Sequence, residues 1–326
     1  MISGNHKKII TLLIKSLVTV LCLYYIFDQL FLKGKFELVW KQFLLVEKES
    51  NTIYIFGTFF LMLLNWAVES AKWQYLLRLI EPANFLKSFK AVIAGVSISI
   101  FTPNRIGEFG GRILFLNDNH RIKAILLSIA GSISQLLITV ICGIIGYTIF
   151  AYGKYQFSLI EKSLLLSIGV VSTCVSLYSY YNFPYLSNVL LRLQILKRTR
   201  TYLKVFHLLS NRKLTNLLGF SILRYLIFSI QFLILLRVFG IYVHPIYGLV
   251  LISIIFFVMA VVPTFALTEL GVRGAAAMFF LSPFSNNSLG ILAASYSLWF
   301  INLVIPALLG LPFIIQAKVF SDDAGV

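Results

Sequence analysis

The chain has 326 residues, of which 59% are hydrophobic and 12% charged, and its formal net charge is +16. Soluble domains carry about 25% charged residues, so this composition excludes a soluble enzyme or binding domain. The basic residues lie between apolar segments, which favours topology signals and contacts with anionic lipid head groups over a nucleic-acid partner.

The apolar segments predict an all-α polytopic membrane protein, because about 20 apolar residues can cross a bilayer as a helix. Six stretches predict full transmembrane helices: Ile9–Phe27, Ile53–Leu77, Ala124–Phe150, Ser163–Tyr181, Leu214–Phe239 and Leu289–Ile315. Two more apolar stretches, Ala91–Leu116 and Pro245–Leu281, are interrupted by proline, glycine and charged residues. Irregular backbone at membrane depth is tolerated only inside the protein or beside a watery cavity, so each stretch predicts a re-entrant helical hairpin.

The distribution of Lys and Arg predicts the orientation. With both termini in the cytoplasm, most basic residues fall in cytoplasmic segments, as the positive-inside rule requires. The most basic of these segments, residues 182–213, contains no Asp or Glu. It predicts either an amphipathic helix on the cytoplasmic membrane surface or a solvated linker.

The order of the elements predicts an internal repeat within a single integral membrane domain, residues 1–326. Residues 9–150 and 158–316 each contain two spans, a hairpin and a third span, in opposite orientations. Inverted repeats with interrupted helices flank the substrate sites of many transporters. A chance pairing of six spans is the alternative.

Both hairpins carry Glu-x-Gly-x-Arg, as "EFGGR" at 108–112 and "ELGVR" at 269–273. Ionisable residues at membrane depth are costly and usually functional, and the arginine fork suits phosphate. Glycine lets the backbone approach a ligand closely. The candidate residues for binding and translocating a lipid head group are Arg105, Gly107, Glu108, Arg112, Arg224, Glu269, Gly271 and Arg273. Glu69, within the second predicted span, is a candidate relay; ion pairs that only pin the hairpins to the bundle are the alternative.

The first motif carries a family resemblance. "TPNRIGEFGGRILFL" resembles the Pro-Gly-Arg-x-Gly-Glu-x-x-Arg motif of the lysylphosphatidylglycerol synthase transmembrane region, the flippase-like membrane domain of the multiple peptide resistance factor. The positions that match are Pro103, Arg105, Gly107, Glu108 and Arg112, while Asn104 replaces a glycine.

The second motif, "LTELGVRGAAAMFFL", is similar to the same family's Pro-Gly-Gly-Leu-Gly-Val-Arg-Glu. Gly271, Val272 and Arg273 match. Glu269 stands where the family has glycine, and Gly274 stands where it has glutamate.

The resemblance covers nearly the whole chain and implies a flippase-like protein of the bacterial cytoplasmic (inner) membrane that moves an anionic phospholipid between leaflets. It implies a stand-alone member without the synthase domain. Because the sequence contains no metal-ligand spacing and no catalytic motif, no catalytic residue, metal or cofactor is expected. The alternative is an accessory protein that presents a lipid or polyprenyl-phosphate donor to a separate lipid-modifying transferase. A membrane enzyme acting on a lipid-linked phosphate is a third reading.

Overall fold

The computed structural model describes residues 48–100, 102, 105–183, 200–262 and 266–317, together with Val20, Glu37 and Lys41. All regular structure in these ranges is helical. The helices are α1 (Lys48–Leu77), α2 (Phe85–Ser99), α3 (Gly107–Ile113), α4 (Asp118–Lys154), α5 (Leu159–Tyr181), α6 (Arg200–Leu203), α7 (Asn211–Val238), α8 (Pro245–Val261), α9 (Ala266–Leu281), α10 (Ser288–Trp299) and α11 (Ile305–Gln316). A π-helical turn, Phe300–Val304, joins α10 to α11.

Five segments of the described chain are long and apolar enough to cross a membrane. They are Thr52–Leu77, Asp118–Lys154, Leu159–Tyr181, Asn211–Val238 and Ser288–Gln316. Each contains or nearly coincides with a predicted span, so the prediction of an all-α polytopic fold is confirmed. The first predicted span, Ile9–Phe27, lies outside the described residues apart from Val20.

The first interrupted stretch folds as a helical hairpin, with α2 packed against the short α3. Its first arm begins at Phe85, ahead of the predicted Ala91, because the Asn84 side chain accepts a hydrogen bond from the Lys87 N–H and caps the helix. The arms touch through glycine. A methyl group on Gly111 would lie 2.4 Å from the Gly95 Cα, so only glycine permits this approach.

Adjacent glycines give a matched test of this contact. Gly111→Ala is expected to lower the free energy of unfolding by about 1–3 kcal/mol, because the new methyl group would force α2 and α3 apart. Gly110→Ala is the control, since a methyl group there meets nothing within 4 Å. That change is expected to be neutral or stabilising by up to about 1 kcal/mol. Thermal unfolding in detergent measures both, and equal melting of the two variants would contradict the close packing.

The second interrupted stretch also forms two helices in mutual contact, α8 and α9. The arms of the two hairpins differ in length: α2 and α3 have 15 and 7 residues, whereas α8 and α9 have 17 and 16. The first hairpin packs through α2 on α11, and the second packs through α8 on α4. Helices α1 and α7 contact each other, and they also contact α2 and α8 respectively. The hairpins are thus held by different helices of one bundle.

Only the end of the basic segment 182–213 is described. Residues 200–208 form α6 and a 3₁₀ turn, in which Val205 and Phe206 are buried against the bundle. The ring of Phe206 lies edge-to-face on Phe183, with centroids 4.9 Å apart. The rest of the predicted surface helix, residues 184–199, lies outside the described residues.

Candidate functional site

The breaks in the two hairpins meet through an ion pair. Arg105, just ahead of α3, donates from Nη2 to Glu269 Oε1 at 2.7 Å. Glu269 lies in the first turn of α9 and also accepts from Arg273, one turn later on the same helix, at 3.0 Å. Residues 164 positions apart in the chain therefore join the two motifs directly.

The backbone at Arg105 is unusual. Its φ is 58°, in the left-handed region, where a side chain with a Cβ costs about 1–2 kcal/mol. Non-glycine residues persist in this region when their surroundings fix them, and such residues cluster at functional sites. Here the ion pair with Glu269 is one contact that fixes the arginine.

A second cluster surrounds Glu69 on α1. Its carboxylate accepts from Arg112 Nη2 at 2.6 Å and from Arg224 Nη1 at 2.8 Å, and Lys72 Nζ lies 2.7 Å away. Three cations from three different helices thus share one carboxylate. The Glu69 side chain is only 4% exposed, so the charges need one another inside the bundle.

The sequence places these groups by helical spacing. Glu69 and Lys72 are three residues apart and share one face of α1, whereas Glu108 and Arg112 are four apart on α3 and also form an ion pair. The guanidinium of Arg112 lies over the ring of Trp73, at 5.4 Å from the centroid. Such contacts stabilise a desolvated cation.

A chain of buried amides extends from this cluster into the bundle core. Arg224 Nε donates to Asn65 Oδ1 at 2.9 Å, and Asn65 Nδ2 donates to Asn302 Oδ1 at 3.3 Å. Asn302 Nδ2 donates to Gln231 at 2.9 Å, and Gln231 donates to the carbonyl of Thr58 at 2.8 Å. Asn302 lies in the π-helical turn, a feature frequent at functional sites. This series of hydrogen-bonded amides holds Arg224 in position through the bond from its Nε to Asn65.

Two adjoining cavities, of about 490 and 390 Å³, lie beside the two ion-pair clusters. Arg105 and Arg224 line both, and their side chains are 40% and 19% exposed. The remaining wall of the larger cavity is mainly apolar and aromatic, including Phe228, Phe256 and Met259. The cavities therefore present cationic groups beside an apolar surface.

The structure brings the predicted charged residues together in these two clusters, but it gives them different places. Arg105, Arg224, Glu269 and Arg273 line the larger cavity. Arg112, predicted as a head-group contact, is 5% exposed and lies outside the lining of both cavities. It is placed to hold the two glutamates Glu69 and Glu108.

The two predicted glycines also differ. A methyl group on Gly107 would lie 2.6 Å from the Ile98 carbonyl oxygen, so this glycine serves the hairpin contact. A methyl group on Gly271 would meet nothing within 4 Å. Close approach therefore explains the first glycine and not the second.

Sequence reasoning missed several polar residues of the site. Lys72 lies three residues after Glu69 in an apolar span, and that spacing was an available signal. Asn65, Gln231 and Asn302 gave none, because single amides in three distant spans do not reveal that they touch.

The comparison with known proteins gives a family. A model of the family described as lysylphosphatidylglycerol synthase TM region matches residues 12–313, which include both hairpins and every candidate site residue. No curated protein and no solved structure matches the chain. With its apolar helices, the match shows a multi-pass membrane protein and suggests a lipid-related role. The chain therefore belongs to the family of the lysylphosphatidylglycerol synthase transmembrane region.

Proposed function

We propose that this protein binds an anionic lipid by its head group and moves it between the leaflets of a bacterial cytoplasmic membrane, without covalent chemistry. The observation that carries the proposal is the meeting of two helix breaks at a cavity lined by Arg105 and Arg224. Arginine binds phosphate through parallel hydrogen bonds, and these two side chains are the more exposed basic groups of the clusters.

The rest of the cavity suits an amphiphile. The head group of a lipid needs polar partners, whereas its acyl chains need an apolar surface. The lining of the larger cavity contains both kinds of residue. Glu69 holds Arg224 and, like Lys72, lines the smaller cavity. The side chains of Glu69, Lys72 and Arg112 are nearly fully buried, which favours a role in holding the cluster together rather than in touching the lipid.

The packing supports an inverted repeat. If residues 9–150 and 158–316 correspond, then α2 is equivalent to α8, α1 to α7, and α4 to the span that contains α10 and α11. The contact of α2 with α11 and that of α8 with α4 are then the same contact made twice, and the contact of α1 with α7 joins two equivalent helices. With both termini in the cytoplasm, the hairpins enter from opposite sides, as alternating access requires.

Leaflet exchange in proteoliposomes tests the function. The purified protein is reconstituted and exchange of fluorescent phosphatidylglycerol and phosphatidic acid is followed for wild type, Arg224→Gln and Arg237→Gln. Arg224→Gln is expected to slow exchange about tenfold or more, the loss typical of a hydrogen bond to a charged group. Glu69 retains its ion pairs with Lys72 and Arg112 in that variant, so the protein should still fold.

Arg237 is the matched control, because it lies on the same helix, is exposed, and stacks on Tyr54 at 5.2 Å outside both cavities. Exchange close to wild type in this variant would support a specific role for Arg224. If the wild type binds lipid but exchanges none, translocation is wrong, and the accessory role beside a separate lipid-modifying transferase takes its place.

A further inference from the structure

Counted over the residues that the structure describes, the two clusters contain more positive than negative charge. Five basic side chains, Lys72, Arg105, Arg112, Arg224 and Arg273, are arranged around three carboxylates, Glu69, Glu108 and Glu269. With all of them ionised, the formal net charge is +2. The residues near the hairpin breaks that the structure leaves undescribed, 101, 103–104 and 263–265, include no ionisable side chain.

An uncompensated charge inside a membrane protein is costly, so a ligand that supplies the missing negative charge is bound strongly. The two excess positive charges are divided evenly between the two clusters. The group around Glu69 and Glu108 carries one surplus cation, and the group around Glu269 carries the other. Arg224 belongs to the first group and Arg105 to the second, and both line the two shared cavities.

Donors for such a ligand are present. Arg224 uses Nε for Asn65 and Nη1 for Glu69, and its Nη2 has no partner within the described chain. Arg273 is buried and lines the larger cavity, and its Nε is a buried donor with no partner among the described residues. By contrast, each of the three carboxylates already has at least one cation.

We infer that the site selects a lipid head group bearing a doubly charged phosphate monoester, and that it disfavours a phosphodiester or an aminoacylated head group. A monoester supplies two negative charges and several acceptor oxygens to the paired surplus cations. A phosphodiester supplies one negative charge. An aminoacylated phospholipid adds an ammonium group, for which the described lining offers no unpaired carboxylate. This inference rests on the proposed lipid binding, but not on translocation.

Binding rather than exchange tests the head group. The full chain, purified in detergent, is titrated with phosphatidic acid, phosphatidylglycerol and lysylphosphatidylglycerol of matched acyl chains, and bound lipid is measured by native mass spectrometry. At pH 8 phosphatidic acid is expected to bind at least about tenfold more tightly than phosphatidylglycerol, from the Coulomb energy of one further charge. The preference should shrink at pH 5.5, because the second phosphate pKa lies near 6.

Phosphatidylglycerol reports any titration of the protein itself, so it serves as the pH control. Arg224→Gln should remove most of the preference, whereas Arg237→Gln should keep it. Equal affinity for the mono- and diester lipids at pH 8, or tightest binding of lysylphosphatidylglycerol, would overturn the inference even if exchange persists. Displacement of phosphatidic acid by equimolar inorganic phosphate would support the dianion and assign it to a soluble source.

Discussion

Glu69→Gln is expected to lower the free energy of unfolding by about 3–5 kcal/mol, the largest effect of any single change in the site. The reason is that Glu69 serves three cations at once, Lys72, Arg112 and Arg224, inside the bundle. Arg112 would keep its ion pair with Glu108. Lys72 and Arg224 would each lose the one carboxylate with which they pair in the described chain. Thermal unfolding in detergent, followed by helical circular dichroism, measures the loss.

Two controls separate charge from simple loss of contact. Glu37→Gln breaks an exposed ion pair with Lys41, both side chains being 68% exposed, and should change stability by about 1 kcal/mol or less. In the double variant Glu69→Gln/Lys72→Met, one surplus cation is gone, so part of the stability should return. Wild-type melting of Glu69→Gln alone would show that the cluster does not hold the bundle.

Hydropathy predicted the spans because lipid makes each helix satisfy its own backbone, so composition and length suffice to find it. It predicted less well where polar residues lie near a helix end. The start of α2 at Phe85 depends on the Asn84 cap, and that of α7 at Asn211 includes the basic Arg212 and Lys213. An apolarity threshold places both ends too late.

Sequence reasoning predicted most charged members of the site, but it missed Lys72 and the three amides Asn65, Gln231 and Asn302, and it missed the contacts between distant helices. The pairs Glu108–Arg112 and Glu269–Arg273 follow from a four-residue helical spacing. The pairing of Arg105 with Glu269 and of Arg112 with Glu69 depends on how distant helices pack. Local sequence carries no information about that packing. Arg112 was therefore expected to contact the head group, whereas it is buried outside the lining of both cavities.

Replacing Arg105 is expected to separate function from stability, because its backbone is strained while its side chain faces the cavity. Arg105→Gly and Arg105→Ala should both slow lipid exchange about tenfold or more, since each removes a charge-assisted contact to the head group. Arg105→Gly should nevertheless be more stable than Arg105→Ala by about 0.5–1 kcal/mol, because glycine adopts a φ of 58° without strain. Exchange in proteoliposomes and thermal unfolding of the same preparations give the two readouts.

Neither change should unfold the protein, because Glu269 keeps Arg273 at 3.0 Å and no carboxylate is left unpaired. Arg105→Lys is the third variant of the series: it keeps the charge but loses the planar fork, so exchange should lie between those of wild type and alanine. If Arg105→Gly exchanged lipid at the wild-type rate, the contact between the hairpins would serve the bundle alone. The head group would then depend on Arg224 and Arg273, the two remaining cations that line the larger cavity.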